Sequence, residues 1–381
     1  MKNTMKKNGF HMKKVLIMPA AVMAAALAMS CEQDLYLPPD WNYDIPYTPV
    51  TSEIHLGALY HNYTDATWAS AQYTPVLNQT MEDGEVIAET PYTSTQVGVL
   101  TQQGEWAASA GIEFFVFPYN ASETDNNLLA NYEIYYNQGE MPVDVVINYS
   151  FSHLGLTELA GSGAGFDAVV ADFKTLYTTV FSKPWYYRLP DGRPVIIVSG
   201  MNNDAYDYSL FVPAFRTAMA EFTSELQAQN GSVDDNAMNF YLIGENTANW
   251  PAPQTNERAA RYLDANYTGR WYPESRYERW SSFYPFTDMA WSNWRDYAAG
   301  WGNDFIPCIY PEFHITESGT RSIDRSEENY TDFCNVAKRN LGSQRIVLIN
   351  SWNDYTNDTA LEPTAEYGEK YMQITYDQFK K

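Results

Sequence analysis

From residue 53 onward the chain carries eight short apolar runs separated by longer stretches, most of them with helical period. The runs are Ile54–Tyr60, Ile112–Phe117, Val143–Ile147, Pro194–Ser199, Asn239–Gly244, Tyr262–Tyr267, Phe305–Tyr310 and Ile346–Ile349. Val-Ile-Ile-Val at 195–198 and Ile-Val-Leu-Ile at 346–349 lack polar alternation, as expected of strands buried on both faces. Helices are predicted over 94–110 (closing at Gly111), 126–138, 166–181, 210–229, 287–300, 327–341 and 367–379. In the third, Val169, Val170, Phe173, Leu176, Tyr177 and Val180 form one apolar stripe. Eight strands alternating with helices predict an α/β fold, a single (β/α)8 TIM barrel over residues 53–381. An open doubly wound sheet is the alternative, but no Gly-rich phosphate loop follows any early strand.

The N-terminus reads as an address. Lys2, Lys6, Lys7, Lys13 and Lys14 precede an apolar segment, Val15–Met29, too short to span a bilayer. Residues 1–30 are therefore expected to be a lipoprotein signal peptide. Leu27-Ala-Met-Ser-Cys31 resembles a bacterial lipobox, which makes Cys31 the lipidation site and membrane anchor. Glu32-Gln-Asp34 resembles a surface-export signal, which predicts an outer-membrane lipoprotein exposed on the cell surface. Residues 31–52, with Pro38, Pro39, Pro46 and Pro49, read as a Pro/Tyr-rich tether.

A formal charge of −23, from 24 Lys+Arg against 47 Asp+Glu, argues against nucleic acid as a partner. Cys308 and Cys334 are expected to be buried free thiols, and the five His show no zinc spacing. No metal and no cofactor are expected. The 30 Tyr and 11 Trp suit carbohydrate, because sugar C–H faces pack on rings.

Directly after the last run come Asn350, Ser351, Trp352, Asn353, Asp354, Tyr355, Asn357, Asp358 and Glu362. In a parallel barrel the loop after a strand faces the pocket, so this patch is the best placed to meet a ligand. The plain alternative is an Asx-capped loop with no ligand. Other strand ends offer His61, Asn148, Glu245, Tyr267, Trp271, Glu312 and His314.

The frame Asn353-Asp354-Tyr355-Thr356-Asn357, followed by Leu361-Glu362-Pro363, resembles glycoside hydrolase family 99 and its WbsX-type relatives from polysaccharide gene clusters. There the frame is Asn-Glu-Trp-x-Glu, then Ile/Leu-Glu-Pro. Weaker echoes are Leu59-Tyr-His61, Ala110-Gly-Ile112 and Tyr187-Arg-Leu-Pro-Asp-Gly-Arg-Pro194. The resemblance implies an endo-acting hydrolase of an α-mannan-like glycan, with glycan-import partners in the outer membrane. It also implies a base at Asp354, which removes a proton from a sugar 2-hydroxyl, and an acid at the position of Asn357. Asp is one methylene shorter than Glu, and an amide cannot protonate a leaving group. Glu312 or Asp358 is then expected to complete a catalytic set with Asp354, since glycosidases use paired carboxyl groups. Substrate contacts are expected from Asn353, Asn357, Tyr355, Trp352, Glu362, His61, Asn148, Glu245, Tyr267 and Trp271. A pair of Glu in the manner of the large retaining-glycosidase clan is a further alternative, but Gly244 precedes Glu245 where that clan has Asn. Three functions stay open: a glycoside hydrolase, a non-catalytic glycan-binding lipoprotein on the same barrel, and an envelope scaffold.

Overall fold

The computed structural model describes residues 43–68, 72–200, 203–245, 260–269, 283–314 and 323–381. The expected signal peptide, Cys31, Arg270 and Trp271 lie outside the described residues. Asp44–Lys381 forms one compact unit.

In chain order, β1 (His55–Leu59) is followed by a hairpin, β2 (Gln79–Glu82) and β3 (Glu85–Glu89), and by α1 (Val99–Ser109). Next come β4 (Phe114–Tyr119), α2 (Glu123–Asn137), β5 (Asp144–Tyr149) and α3 (Ala164–Leu176), which continues as a π turn over Tyr177–Phe181. Then follow β6 (Val195–Val198), α4 (Tyr208–Gln229), β7 (Tyr241–Glu245), β8 (Ala265–Tyr267) and α5 (Phe283–Trp301). The chain ends with β9 (Asp304–Ile306), β10 (Cys308–Ile309), α6 (Glu327–Arg339), β11 (Ile346–Ile349) and α7 (Lys370–Phe379).

Among the described residues nine parallel strands form one sheet in the order β10-β11-β1-β4-β5-β6-β7-β8-β9. Its two end strands are halves of one stave, interrupted at Pro307, which has no N–H for a ladder bond. β9 pairs with β8, β10 pairs with β11, and Leu348 N donates to the Pro307 carbonyl at 2.9 Å. The sheet thus closes on itself as eight staves, a TIM barrel with helices outside. All eight apolar runs become staves; the sixth is shorter than expected and the seventh is split.

Closure explains the unbroken apolar runs. Phe114, Val116, Val146, Val195, Ile197, Ile243, Ile306 and Leu348 fill the lumen. Their neighbours along the strands, among them Phe115, Phe117, Val145, Ile196, Leu242 and Ile349, pack outward under the helices. Both faces of each stave are dry. The lower rim, at the strand N-termini, is held by charges. Glu113 accepts from Lys380 Nζ at 2.7 Å and pairs with His55 Nδ1 at 2.7 Å. Asp304 receives the backbone N–H groups of Ser343 and Gln344 and the Tyr241 hydroxyl.

Two features lie outside the expected pattern. The β2–β3 hairpin turns at Asp83 and Gly84, both with positive φ, and presents nearly all of its residues to solvent. Residues 44–52 of the expected tether lie on the barrel: Thr48 N donates to Asn335 Oδ1 on α6 at 2.9 Å, and Ile45 and Val50 pack against the core.

Gly57 faces the lumen, where the Phe114 ring from the adjacent stave lies across it. A Cβ there would sit 2.1 Å from that ring. Overpacking of this kind costs roughly 3 kcal/mol. Gly57→Ala should lower the urea midpoint accordingly, and Gly57→Ala with Phe114→Leu should recover part of the loss. An unchanged midpoint for the single variant would contradict this lumen packing.

Candidate active site

The loop after β11 is tied down before it reaches solvent. The Asn350–Ser351 peptide is cis. Trp352 N donates to the Leu59 carbonyl at 2.7 Å, which seats the loop on the end of β1. Asn353 then copies a backbone pairing: its Oδ1 accepts from His61 N at 2.7 Å and its Nδ2 donates to His61 O at 3.1 Å. Ser351 and Thr359 close the loop through Ser351 N to Thr359 O at 3.1 Å and hydroxyls 3.0 Å apart.

Within this closed loop Asp354 and Asn357 hold each other. Asp354 Oδ1 accepts from Thr356 N at 2.9 Å and Asn357 N at 3.3 Å, while Oδ2 accepts from Asn357 Nδ2 at 2.7 Å. This is an Asx turn, with both carboxylate oxygens engaged by the loop itself. The two positions that the family frame assigns to base and acid are here a turn and its clasp.

Behind the loop, Glu362 is buried, with no cation beside it among the described residues. Its Oε2 accepts from the Tyr92 and Tyr355 hydroxyls at 2.9 and 3.0 Å, and its Oε1 from Gln103 Nε2 at 2.7 Å. The Tyr60 hydroxyl donates in turn to Gln103 Oε1 at 2.8 Å. Burial pushes the Glu362 carboxyl up to about 7, against the pull of these three donors. Around it stand stacked rings: Tyr63 on Trp68 at 4.0 Å and Trp68 on Tyr355 at 5.5 Å. This unit braces the wall, because its polar atoms are spent on the protein.

The lumen-facing side of the mouth is different. Asn148 follows Val146 on the inner face of β5, and its Oδ1 is buried without a hydrogen-bond partner. Tyr267, at the end of β8, buries an unpartnered hydroxyl and is flanked on β7 by Glu245. Burial, with the Glu245 charge added, holds this phenol well above its usual range. A Cβ on Gly269 would meet Glu245 Oε1 at 2.8 Å, so the glycine is what leaves room for that carboxylate. Asn350 Nδ2 donates to the Gly269 carbonyl and closes this side. Asn62, beyond β1, also has a buried Oδ1 without a partner.

A third group joins the seventh stave to the last loop. Glu312, which is buried, accepts from Tyr73 Oη at 2.5 Å and from Arg325 Nε at 3.1 Å. Arg325 lies between the rings of Tyr73 and Tyr371, at 4.8 and 4.9 Å, and its Nη2 donates to the carbonyls of Asp358 and Ala360. Asp358 adopts φ 56°, is 2 % exposed, and its Oδ1 has no partner. Burial, then the Glu312 charge, raises its carboxyl to about 6, opposed by His314 and Arg325.

The expected residues therefore separate by location. Asn148, Glu245 and Tyr267 line the lumen mouth from β5, β7 and β8, the last two side by side. Glu312 and Asp358 form a second cluster with His314, whose N–H donates to the Asn357 carbonyl at 3.0 Å. His61 is exposed on the rim and packs against Tyr63 at 4.6 Å. Trp352, Asn353, Tyr355 and Glu362, expected at the ligand, sit inside the wall because backbone seating and the Glu362 brace consume them. Tyr73, Tyr92, Gln103 and Arg325 were not anticipated. Their partners lie more than 200 residues away for Tyr73, Tyr92 and Gln103, and no local motif marks such pairs. Among the described residues Glu53, His55 and Glu113 have metal-ligand spacing, but they lie at the lower rim, where Lys380 already occupies Glu113. Cys308 and Cys334 are buried and free. Two cavities, of about 310 and about 390 Å³, open beside α4 at the lower end and include no mouth residue.

The family model described as "Glycosyltransferase WbsX" matches residues 175–375. Among solved structures, one described as a glycoside hydrolase-like protein superposes with a TM-score of 0.70 at 19% identity, covering 89% of this chain and 97% of its own. The family-99 endo-alpha-mannosidase from Bacteroides thetaiotaomicron, in complex with bis-tris-propane, gives 0.57 at 15% identity, covering 87% of this chain and 98% of its own. At these identities the likeness is one of fold. A search of curated proteins finds no match.

The Glu362 brace has a pH signature. An acid that binds its proton more tightly in the folded than in the unfolded chain stabilises at low pH. That stability is lost as pH rises from the unfolded value, near 4.5, through about 7. Glu362→Gln should flatten the decline of Tm over that window; an identical decline in the variant would show that Glu362 is not its source.

Proposed function

The chain belongs to the WbsX family, and from that premise we propose that it binds a glycan in the barrel mouth and hydrolyses an internal linkage of it. One observation carries the reading. Buried polar atoms without partners stand at the strand C-termini, Asn148 Oδ1 on β5 and Tyr267 Oη on β8 beside Glu245, and a third, Asp358 Oδ1, lies in the loop after β11. Unsatisfied buried polar groups cost about 1–3 kcal/mol each, a cost that a hydroxyl-rich ligand removes on binding. Sugars present such hydroxyls around the ring, and the Asp358 carboxyl, with the Glu312 charge acting on it, supplies an acid of the kind glycoside hydrolysis uses. An α-mannan-like substrate is the choice favoured by the likeness to the Bacteroides endo-alpha-mannosidase. The N-terminal sequence supports an outer-membrane lipoprotein anchored at Cys31 and exposed to extracellular polysaccharide.

A second reading, glycan binding without cleavage, is favoured by the Asp354–Asn357 clasp, which takes both frame positions out of acid–base chemistry.

The test is a panel of α-mannans and host N-glycans incubated with the mature protein, with binding by calorimetry and cleavage by reducing-end release. A mannan ligand should bind, and Asn148→Ala should weaken it about tenfold, as loss of one well-placed buried hydrogen bond does. Product release selects hydrolysis, and binding without release selects the second reading. Binding unchanged in both Asn148→Ala and Tyr267→Phe would remove the mouth as the site.

A further inference from the structure

We propose that Asp358, one residue beyond the position at which the family frame carries its acid, is the group that protonates the leaving glycosidic oxygen. Glu312 and Arg325 act on it as positioning residues. The inference rests on the hydrolytic reading of the mouth and names its missing acid.

Asn357 cannot give up a proton to a leaving group, and its amide is committed to Asp354 Oδ2 at 2.7 Å. The next residue is turned over by a positive φ of 56°, which sends the Asp358 side chain out of the Asx turn. It lands buried, within electrostatic reach of Glu312 and His314 in the segment after β10, Arg325 ahead of α6, and Asp354 on its own loop. Three carboxyl groups here meet one guanidinium, and that of Asp354 is already held by the Thr356 and Asn357 N–H groups. Arg325 bonds Glu312 directly, at 3.1 Å, and meets Asp358 only through its backbone carbonyl, also at 3.1 Å. The guanidinium therefore balances Glu312 and leaves the Asp358 carboxyl as the one that keeps a proton. Its rise to about 6 agrees in direction. Its Oδ1 is buried and has no hydrogen-bond partner in the protein, so that oxygen is not committed elsewhere.

The step balances. The bond from the anomeric carbon to the glycosidic oxygen breaks with both electrons leaving on that oxygen, which takes the Asp358 proton. Water supplies the oxygen that replaces it at the anomeric carbon, and the proton that this water gives up restores Asp358.

The experiment compares a mannan with the matching glycosyl fluoride, whose leaving group needs no protonation, across the mature wild type, Asp358→Asn and Glu312→Gln. Thermal melts check that each variant folds. Asp358→Asn should lose about 10³-fold in kcat/KM on mannan, within the range for a general acid, and only a few-fold on the fluoride. Glu312→Gln removes the charge that helps Asp358 hold its proton, so the basic limb of the wild-type pH profile should move to lower pH. A general loss of fold would reduce both substrates alike and leave the limb in place. Retained mannan cleavage in Asp358→Asn, or equal loss on both substrates together with an unmoved limb in Glu312→Gln, overturns the assignment. A wild type that cleaves neither substrate overturns the hydrolytic reading itself, and the assignment with it.

Discussion

The constraint on which everything else depends is closure of the sheet through a stave that cannot pair along its whole length. Pro307 lacks the N–H that a ladder needs, so β9 and β10 each bond a different neighbour and join the two edges of the sheet. Once closed, the barrel has no wet face. Its strands must be apolar in both directions, and polar side chains are driven to the rims. The lower rim satisfies its charges internally, with Glu113 shared between His55 and Lys380. The upper rim instead buries Asn148 Oδ1 and Tyr267 Oη without partners.

Two buried glutamates at the upper rim show how differently one side chain can be used. Glu362 is surrounded by neutral donors, two phenols and an amide, and burial dominates, so its proton affinity rises. Glu312 has a guanidinium at 3.1 Å, locked between tyrosine rings, and serves as a fixed counter-charge to its surroundings. The first fastens the loop after β11 to the segment after β1. The second sets the electrostatics of the last loop, because the Arg325 that holds it also carries the carbonyls of Asp358 and Ala360.

How far all this could be read from the residues follows from the range of each interaction. Period and burial are local, so all eight staves and the helix α3 stripe are visible in runs of a few residues. The hairpin at 79–89 was not, because exposed strands such as Glu-Val-Ile-Ala-Glu lack a buried face to set a period. At the site, strand ends placed Asn148, Glu245 and Tyr267 at the mouth, since alternation along a stave decides which side chains face inward. The loop after β11 was harder. Its density of amides and carboxylates is equally the signature of a ligand patch and of a chain segment hydrogen-bonding to itself. Only partners distant in sequence, Leu59 for Trp352, His61 for Asn353 and Tyr92 for Glu362, separate the two.

The substitution at 357 then has a physical consequence beyond the loss of an acid. A Glu there would place a second carboxylate against Asp354, and like charges in a tight turn repel. Asn reverses the interaction: its Nδ2 donates to Asp354 Oδ2, and the turn closes on itself. A closed turn fixes the backbone that leads into residue 358, where the chain enters the left-handed region that Asp tolerates better than most side chains. Residues 359–361 then return to Ser351 and Trp352 through backbone bonds. The amide that removes one proton donor from the frame is thus also the clasp that fixes the backbone leading to the Asp358 carboxyl. Both effects follow from exchanging one acceptor-only group for one that donates.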